Sequence, residues 1–338
     1  MSHSTDHARV LVISPVRDEA EFIQRTIASM VAQTHRPALW IIVNDGSSDE
    51  TGRLADEAAA RNSWIEVVHR APDHPRRVGP GVIDAFYDGL NRVDQQNYDY
   101  ICKLDGDLEF QPEYFGSLIA RFENNPRLGT ASGKCCLVLN GKIVDERSGD
   151  DFSVGPAKLY RRECFEEIGG FVPEVMWDGI DCHRCRMFGW DAVSLSDPGL
   201  RILHLRQMGS SHRSVFHGRV RWGRGQYFMG THGLYAVGIG VYRMFERPWV
   251  LGGLCILAGY CLSWMQRRPR YKDPEFRRHL HHWQMQRFAG VLGRRLFSQA
   301  GTPAVPAELN TIRSRGDHIH ARNTVHCQPV SAAGGTMP

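Results

Sequence analysis

Buried strands that end in polar turns, each followed by an amphipathic helix, recur through the first third of the chain. Residues 10–14 and 39–43 are continuous apolar runs, the pattern of strands covered on both faces of a parallel sheet. Residues 19–33, between them, carry apolar side chains at helical spacing. This alternation predicts an α/β fold, with a Rossmann-like, mostly parallel sheet flanked by helices.

The same alternation continues to about residue 124. It predicts further strands over residues 64–69 and 98–104, and helices that end near residue 61 or begin near residues 82 and 112. In such sheets, ligands bind beyond the carboxyl ends of the strands. We therefore expect three polar segments that follow strands to meet at one edge of the sheet. These segments are residues 14–19, 44–48 and 105–107.

Two carboxylates two residues apart, Asp105 and Asp107, come directly after the predicted fourth strand. Such a pair can chelate one hard divalent cation, and Mg²⁺ or Mn²⁺ prefers carboxylate oxygens together with the phosphate oxygens of a substrate. Gly106 between them lets a ligand approach the backbone closely. The position at a strand end favours a Mn²⁺ or Mg²⁺ site over the alternative, an ordinary surface turn.

The second polar segment, residues 44–51, follows a strand and opens a helix. Free backbone N–H groups and short polar side chains therefore face the same edge. The Asp45 carboxylate can accept a hydrogen bond from a nucleobase, although helix capping explains part of this segment. Pro15 and Arg17 end the first strand, and arginine side chains can neutralise a diphosphate. The cationic candidates are Arg17, Arg76 and Arg77.

In order and spacing, these motifs resemble those of a family 2 glycosyltransferase with the GT-A fold, across about residues 8–205. Two later segments join the resemblance, Ile-Gly-Gly-Phe at residues 168–171 and Trp-Asp-Gly-Ile-Asp at residues 177–181. The resemblance implies metal-dependent transfer of a sugar, with inversion, from a nucleotide diphosphosugar to an acceptor hydroxyl. In the family, the first two motifs hold the nucleoside, which implies that role for Glu19 and Asp45.

The resemblance also implies the metal ligands and the base. Asp105 and Asp107 correspond to the metal-binding pair, with Asp107 the more direct ligand and Asp105 also facing the donor. The usual Glu-Asp pair of the base motif is replaced by Trp177-Asp178. We expect Asp178 to be the catalytic base, with Asp181 as the alternative. Two residues three apart on a helix share a face, so one of these carboxylates can orient the other.

A histidine follows the base helix in a predicted strand. In related enzymes a histidine near this position ligates the metal or contacts the diphosphate, so His204 is a candidate third metal ligand. The alternative is a structural histidine. The Gln-x-x-Arg-Trp signature of processive synthases is absent from the sequence, which argues against a polymerising enzyme of the cellulose or chitin type.

Basic and apolar residues concentrate after residue 200. The net charge is +4, yet residues 201–300 hold 17 Lys and Arg against 3 Asp and Glu. The apolar run at residues 249–265 falls short of the roughly 20 residues of a spanning helix, and arginines flank both of its ends. We expect an interfacial helix or a shallow hairpin held by anionic lipid, against the alternative of a buried layer packed on the catalytic domain or on a partner subunit.

Three parts are therefore predicted. They are a GT-A catalytic domain over residues 8–210, a helical, membrane-associating extension over residues 211–298, and a disordered polar tail over residues 299–338. The first residues lack an apolar segment of signal-peptide length, and the nine cysteines are spread thinly. This composition favours the cytoplasm, at the inner face of the membrane. Four cysteines, Cys135, Cys136, Cys182 and Cys185, have poor spacing for zinc and are expected to be free thiols.

The favoured function is transfer to a lipid-linked saccharide in cell-envelope or exopolysaccharide synthesis. A non-catalytic module that binds a nucleotide sugar or a polyanion is the first alternative. A sugar-phosphate nucleotidyltransferase would need a Gly-rich N-terminal loop, which is missing, and a glycosidase with two carboxylates would need no metal. Nucleic acid is not expected as a partner.

Overall fold

The computed structural model describes residues 8–71, 79–139, 141–146, 149–206, 215–246 and 248–299. The strands are β1 (Val10–Val16), β2 (Leu39–Asn44), β3 (Ile65–His69), β4 (Tyr100–Leu104), β5 (Leu108–Phe110), β6 (Leu128–Gly133), β7 (Cys135–Leu139), β8 (Lys142–Asp145), β9 (Ala157–Arg161), β10 (Asp191–Leu195) and β11 (Ile202–His204). The helices are α1 (Ile23–Val31), α2 (Thr51–Arg61), α3 (Pro80–Leu90), α4 (Tyr114–Asn124), α5 (Arg162–Glu167), α6 (Trp177–Met187), α7 (Val215–Met229), α8 (Gly233–Arg243), α9 (Trp249–Met265) and α10 (Pro274–Gln299).

The central sheet has seven strands in the order β10-β6-β9-β4-β1-β2-β3. β1 pairs in parallel with β2 and β4, and β2 pairs in parallel with β3. The prediction of a mostly parallel sheet is confirmed. One strand differs, because β9 is inserted between β4 and β6 and runs antiparallel to both.

Alternation along β1 explains why helices cover both faces of the sheet. Successive side chains of a strand point to opposite faces. Val10 and Val12 accordingly join a core cluster that includes residues of α1, α2 and α4, whereas Leu11 and Ile13 join a cluster that includes residues of α3, α5 and α6. All four side chains are fully buried, as the continuous apolar run predicts.

A second sheet of four strands, in the order β5-β11-β7-β8, lies next to the third polar segment in the chain. β5 begins directly after Asp107, and β11 runs antiparallel to it with His204 opposite Leu108. β7 and β8 pair in antiparallel orientation as a hairpin. This small sheet therefore brings His204 back to the segment that follows β4.

Glycines allow three helices of the C-terminal part to pack with their backbones in contact. A Cβ atom on Gly223 of α7 would lie 2.0 Å from the main-chain oxygen of Ile256 in α9, and one on Gly253 of α9 would lie 2.3 Å from the main-chain oxygen of Gly240 in α8. Small residues at such interfaces are the usual way for apolar helices to approach closely. Within the described ranges, no helix combines the length and apolarity needed to cross a bilayer.

The described residues up to Gln286 form one compact unit, and residues from Arg287 onward belong to a second unit, described as the last turns of α10. Several predictions fall outside the described residues. The boundary near residue 210 lies in residues 207–214, Arg76 and Arg77 lie in residues 72–78, and the polar tail from residue 300 onward also lies outside them. The three-part organisation stays a prediction.

Candidate active site

The first two polar segments are joined by hydrogen bonds. The backbone N–H of Asp18 donates to Ser47 Oγ at 3.0 Å, and the backbone N–H of Glu19 donates to Thr51 Oγ1 at 2.7 Å. Parallel pairing of β1 and β2 places their carboxyl ends side by side, and these bonds close the gap between the turns. The prediction that these two segments meet at one edge is confirmed.

The third segment reaches the same edge through Gly106. Its main-chain oxygen accepts a hydrogen bond from Thr26 Oγ1 at 2.8 Å. A Cβ atom at Gly106 would lie 2.7 Å from Val16 Cγ1, so the turn can approach the end of β1 only because residue 106 has no side chain. Asp105 and Asp107 are thereby held beside the first polar segment.

Arg206 links the two acidic segments. Its Nη2 donates to Asp107 Oδ2 at 3.0 Å and to Glu19 Oε1 at 2.7 Å. Burial, followed by the negative charge of Asp107, raises the pKa of Glu19 to about 7 in spite of this contact. Burial also opposes ionisation of Asp107, but the bonds and charges of His204 and Arg206 outweigh it and hold the pKa of Asp107 below its usual value.

Asp105 has a different cation beside it. The Lys103 ammonium pairs with Asp105 and also donates to the main-chain oxygen of Gly155 at 3.1 Å. Burial raises the pKa of Asp105, and the positive charge of Lys103 opposes that shift. Lys103 is itself buried, and its side chain is held against Asp105 near the end of β4.

His204 lies between two carboxylates. Its Nδ1 is 3.1 Å from Glu146 Oε2, and its Nε2 is 3.5 Å from Asp107 Oδ2. Burial lowers the pKa of His204, but the hydrogen bonds to Asp107 and Glu146 exceed that effect and raise it to about 10. The thiol of Cys135 completes a group whose donor atoms all lie within 4.8 Å of one another, together with Glu146 and His204.

These side chains fit a divalent cation. A metal–ligand distance of about 2.1 Å to each of two neighbouring ligands places them roughly 3.0–3.5 Å apart, and Asp107 and His204 present an oxygen and a nitrogen at 3.5 Å. Lys103 pairs with Asp105, and Arg206 pairs with Asp107. A bound metal ion would neutralise the same two carboxylates.

The Asp45 carboxylate lies at the end of β2 and is buried. Arg70 pairs with it, and Arg17 Nη1 lies 3.8 Å from it. A cleft of about 490 Å³ adjoins Arg70 and is lined in addition by the end of β3, by Asp88 of α3 and by the two residues that follow α3. Pro15 lies within β1, opposite Val43 in the register with β2.

Asp178 occupies the first turn of α6 and is half-buried. A Cβ atom at Gly155 would lie 3.1 Å from Asp178 Oδ2, so the carboxylate rests against the residue whose main-chain oxygen Lys103 contacts. Burial raises the pKa of Asp178, and the charge of Lys158 opposes the shift. Asp178 and the ion pair of Lys103 with Asp105 therefore meet at the same residue, Gly155.

Asp181, the other candidate base, is enclosed. It is 1% exposed, pairs with the Lys158 ammonium and accepts a hydrogen bond from the Tyr160 hydroxyl. Lys158 Nζ also donates to the main-chain oxygen of Asp178 at 2.9 Å. The antiparallel strand β9 carries Lys158 and Tyr160 on one face, directly beneath α6.

Five side chains of the site were not predicted from the sequence: Arg70, Lys103, Glu146, Lys158 and Arg206. Lys103 and Arg206 each stand two residues from a predicted ligand in an extended segment, and that spacing puts them on the same side as the ligand. Glu146 and Lys158 gave no comparable signal. The four cysteines considered above, Cys135, Cys136, Cys182 and Cys185, are buried and form no disulfide.

Comparisons with known proteins agree with this geometry. Residues 11–136 match the family described as Glycosyl transferase family 2. The poly-β-1,6-N-acetyl-D-glucosamine synthases of Staphylococcus aureus and Staphylococcus epidermidis are 29% and 28% identical over 116 residues. Those 116 residues are 34% of this chain, and they span about a quarter (26%) of the length of these relatives.

Solved structures extend the likeness to most of the chain. The mannosyltransferase PcManGT from Pyrobaculum calidifontis, in complex with GDP-Man and Mn²⁺, aligns with a TM-score of 0.50 at 16% identity over 88% of this chain and 82% of its own. GalNAc-T7 with UDP, GalNAc and Mn²⁺ aligns with a TM-score of 0.51 at 14% identity over 86% of this chain and 58% of its own. Residues 11–136 are thus similar to glycosyl transferase family 2, and the chain has the GT-A fold of these solved structures.

Proposed function

We propose that this protein transfers a sugar from a nucleoside diphosphate sugar to an acceptor hydroxyl, with inversion at the anomeric carbon. The observation that carries the proposal is the arrangement of acids around Gly155. Asp105 is joined to this residue through Lys103, with Asp107 and His204 near it, and the half-buried Asp178 lies against the same residue. One group of side chains can hold a charged leaving group while the other receives a proton.

The donor side of the site is assigned to the first two polar segments and to the metal ligands. Asp45 and Glu19 would contact the nucleoside beside the cleft at Arg70, and Arg17 would face the diphosphate, joined by Arg76 and Arg77 from outside the described residues. Asp105, Asp107 and His204 would hold Mn²⁺ or Mg²⁺, which neutralises the leaving diphosphate when bound. Two proteins of the same fold were solved with Mn²⁺ and a nucleotide or nucleotide sugar, which supports this assignment.

The acceptor side is assigned to α6. Asp178 would accept the proton of the attacking hydroxyl, which makes the oxygen a better nucleophile as the bond to the sugar forms. A single displacement inverts the anomeric carbon and needs no second nucleophile. Asp181 would act as a positioning residue, because it holds Lys158, and Lys158 holds the main chain of Asp178.

The decisive experiment is a thermal-shift series with nucleoside diphosphates and their sugars, with and without Mn²⁺. Binding to the native state alone raises stability by about 2.7 kcal/mol at a hundredfold excess over Kd. We expect a Mn²⁺-dependent shift that Asp107→Ala removes, and loss of turnover with an unchanged shift in Asp178→Asn. Glu123→Gln, which removes an exposed charge on α4, is the control. No shift with any nucleotide would favour a binding module of another kind.

The second part of the proposal is contact with an anionic bilayer through an apolar face on α8 and α9. On α8, the exposed apolar side chains recur at helical spacing, and on α9 they do so along the side away from its glycines. The apolar face consists of Leu234, Val237, Val241, Phe245, Leu251, Leu254, Leu262 and Met265. Two of these, Leu234 and Phe245, are 62% and 75% exposed. Monomeric soluble proteins rarely expose so large a patch.

Charge around the apolar face favours a membrane over a protein partner. Residues 248–266 contain no charged side chain. Arginines lie near both ends of this segment: Arg243 before it, and Arg267 and Arg268 after it. Tryptophans at both ends of α9, Trp249 and Trp264, are also largely exposed, the arrangement of an interfacial helix. Such a surface would bring the enzyme to a lipid-linked saccharide acceptor in cell-envelope or exopolysaccharide synthesis.

Vesicle flotation tests the bilayer contact. Leu251→Glu with Leu254→Glu should abolish flotation with vesicles of phosphatidylcholine and phosphatidylglycerol. Val31→Glu makes the same change at an exposed apolar side chain of α1, and it should float normally. Equal loss in both variants, or turnover with soluble acceptors alone, would refute this part of the proposal while leaving the donor site intact.

A further inference from the structure

A cavity of about 410 Å³ opens beside the C-terminal end of the apolar face. It lies between the start of α8, the last turns of α9 and one turn of α10. Thr231, His232, Tyr260, Trp264, Arg270 and His281 line it. Ligand cavities of this size are typically apolar with a few polar groups, and the aromatic rings of Tyr260 and Trp264 supply the apolar wall here.

Arg270 brings an uncompensated positive charge into this cavity. Its guanidinium lies 4.4 Å from the centre of the Tyr227 ring, which fixes its orientation by cation–π attraction. Among the described residues, no acidic side chain forms an ion pair with Arg270. The cavity therefore holds a positioned cation whose hydrogen-bond donors remain available to a ligand.

His232 adds a second polar group without a partner. Its Nδ1 is shielded from solvent and has no hydrogen-bond partner within the described ranges. Its backbone N–H donates to Gln284 Oε1 at 2.9 Å, and its ring meets the His281 ring edge to face at 5.2 Å. The imidazole is thus held in place from two sides, and a buried polar atom left in this condition points to a missing ligand.

The base of the cavity is already formed. Tyr260 Oη donates to the main-chain oxygen of Thr231 at 2.7 Å, and Thr231 Oγ1 donates to Gln226 Oε1 at 2.6 Å. Thr231 and Gln226 are 3% and 5% exposed. Binding would therefore require little rearrangement, which lowers its entropic cost.

We propose that this cavity binds the phosphate group of a membrane lipid, whose hydrocarbon tail lies along the apolar face. The inference rests on the bilayer contact proposed above and adds a specific site to it. A guanidinium matches two phosphate oxygens at once, and the imidazole of His232 supplies a further hydrogen bond. Trp264 at the mouth is 62% exposed and continues the apolar face from the phosphate toward the tail.

Arg270→Gln and Arg268→Gln form a matched pair for the test. Both remove one positive charge from the same short loop, but Arg268 donates to Gln266 and does not line the cavity. Loss of one surface charge should weaken binding to phosphatidylglycerol-containing vesicles by about fivefold. Loss of a charge-assisted phosphate contact should weaken it by roughly tenfold or more. His232→Gln, which removes the imidazole and leaves every arginine in place, should weaken vesicle binding as Arg270→Gln does.

Three outcomes would overturn the proposal. Equal weakening in both arginine variants would show that only the overall charge of the surface matters. Normal vesicle binding by His232→Gln together with a folded, normally binding Arg270→Gln would exclude the cavity. Displacement of vesicles by millimolar inorganic phosphate would show that the site takes free phosphate rather than a lipid.

Nucleotide binding at the donor site distinguishes a failure of this proposal from a failure of the proposed function. Thermal shifts with nucleoside diphosphate and Mn²⁺ should be the same in the parent and in both arginine variants. A parent protein that binds vesicles through Arg270 but never binds a nucleotide would refute the transferase while leaving the lipid site standing.

Discussion

The ion pair beneath α6 leads to a quantitative prediction about stability. The Lys158 side chain is fully buried and contacts Asp181, the main-chain oxygen of Asp178 and the sulfur of Cys182. Lys158→Met keeps the length of the side chain but leaves the Asp181 carboxylate buried with the Tyr160 hydroxyl and a backbone N–H. Removing one partner of a buried pair typically costs 3–5 kcal/mol, so we expect a loss of about that size in the free energy of unfolding.

A double-mutant cycle isolates the pair. Asp181→Asn alone leaves the Lys158 ammonium buried without its carboxylate, and we expect a similar cost. In the double variant Lys158→Met with Asp181→Asn, both charges are gone while Tyr160 keeps an oxygen acceptor. Its loss should therefore be far smaller than the sum of the two single losses, and a coupling of at least about 2 kcal/mol is expected.

Urea unfolding at pH 7.5, followed by tryptophan fluorescence, measures all four proteins. The slope with urea should be the same for each, because the native surface is unchanged. Single variants that lose less than about 1 kcal/mol, or losses that simply add in the double variant, would refute the reasoning. The double variant should also lose turnover, since the main chain of Asp178 would no longer be held by Lys158.

The remaining predictions concern metal binding, the pH dependence of stability and the packing of the C-terminal helices. Glu146→Gln should weaken Mn²⁺ binding by about 10- to 100-fold in calorimetry with nucleoside diphosphate present, because Glu146 orients His204. In the protein without metal, Glu19 binds its proton more tightly in the folded state, because its pKa is about 7 there against 4.5. Its contribution to the free energy of unfolding is therefore complete at low pH and disappears as the pH rises through 7. Glu19→Gln should accordingly gain up to about 3 kcal/mol relative to the parent between pH 5 and pH 8 in thermal unfolding, and a flat difference would contradict this. Gly223→Ala should cost about 1–3 kcal/mol by the same assay, because its Cβ would lie 2.0 Å from a main-chain oxygen, whereas Gly233→Ala, which meets open space, should be tolerated.

Sequence patterns predicted the parts of the fold that depend on local periodicity. The apolar run of β1 and the helical spacing before β2 each predicted the element that forms there. Side-chain direction alternates every two residues in a strand and recurs about every 3.6 residues in a helix. The helix at Trp249–Met265 has the same bounds in the sequence pattern and in the structure. The antiparallel direction of β9 had no local signal, since strand direction is set by which neighbours the chain reaches.

The candidate site was likewise predictable in its local motifs but not in its long-range contacts. Glu19, Asp45, Asp105, Asp107 and Asp178 follow strands or open a helix in recognisable motifs, so their neighbourhood was predictable. The roles given to them stay predictions until the donor series is measured. Their protonation was not predictable, because the opposite pKa shifts of Asp105 and Asp107 depend on the burial of each carboxylate and on which cations fold against it.

The sequence by itself determined the alternation of strands and helices and the order of the acidic motifs, because both are written in spacings of a few residues. Tertiary structure alone decided that Arg206 bridges Glu19 and Asp107, since Arg206 and Glu19 are 187 positions apart. It also decided that Glu146 orients His204 and that Lys158 underlies Asp178. Charges of this kind act through distance and burial, and neither exists before the chain has folded.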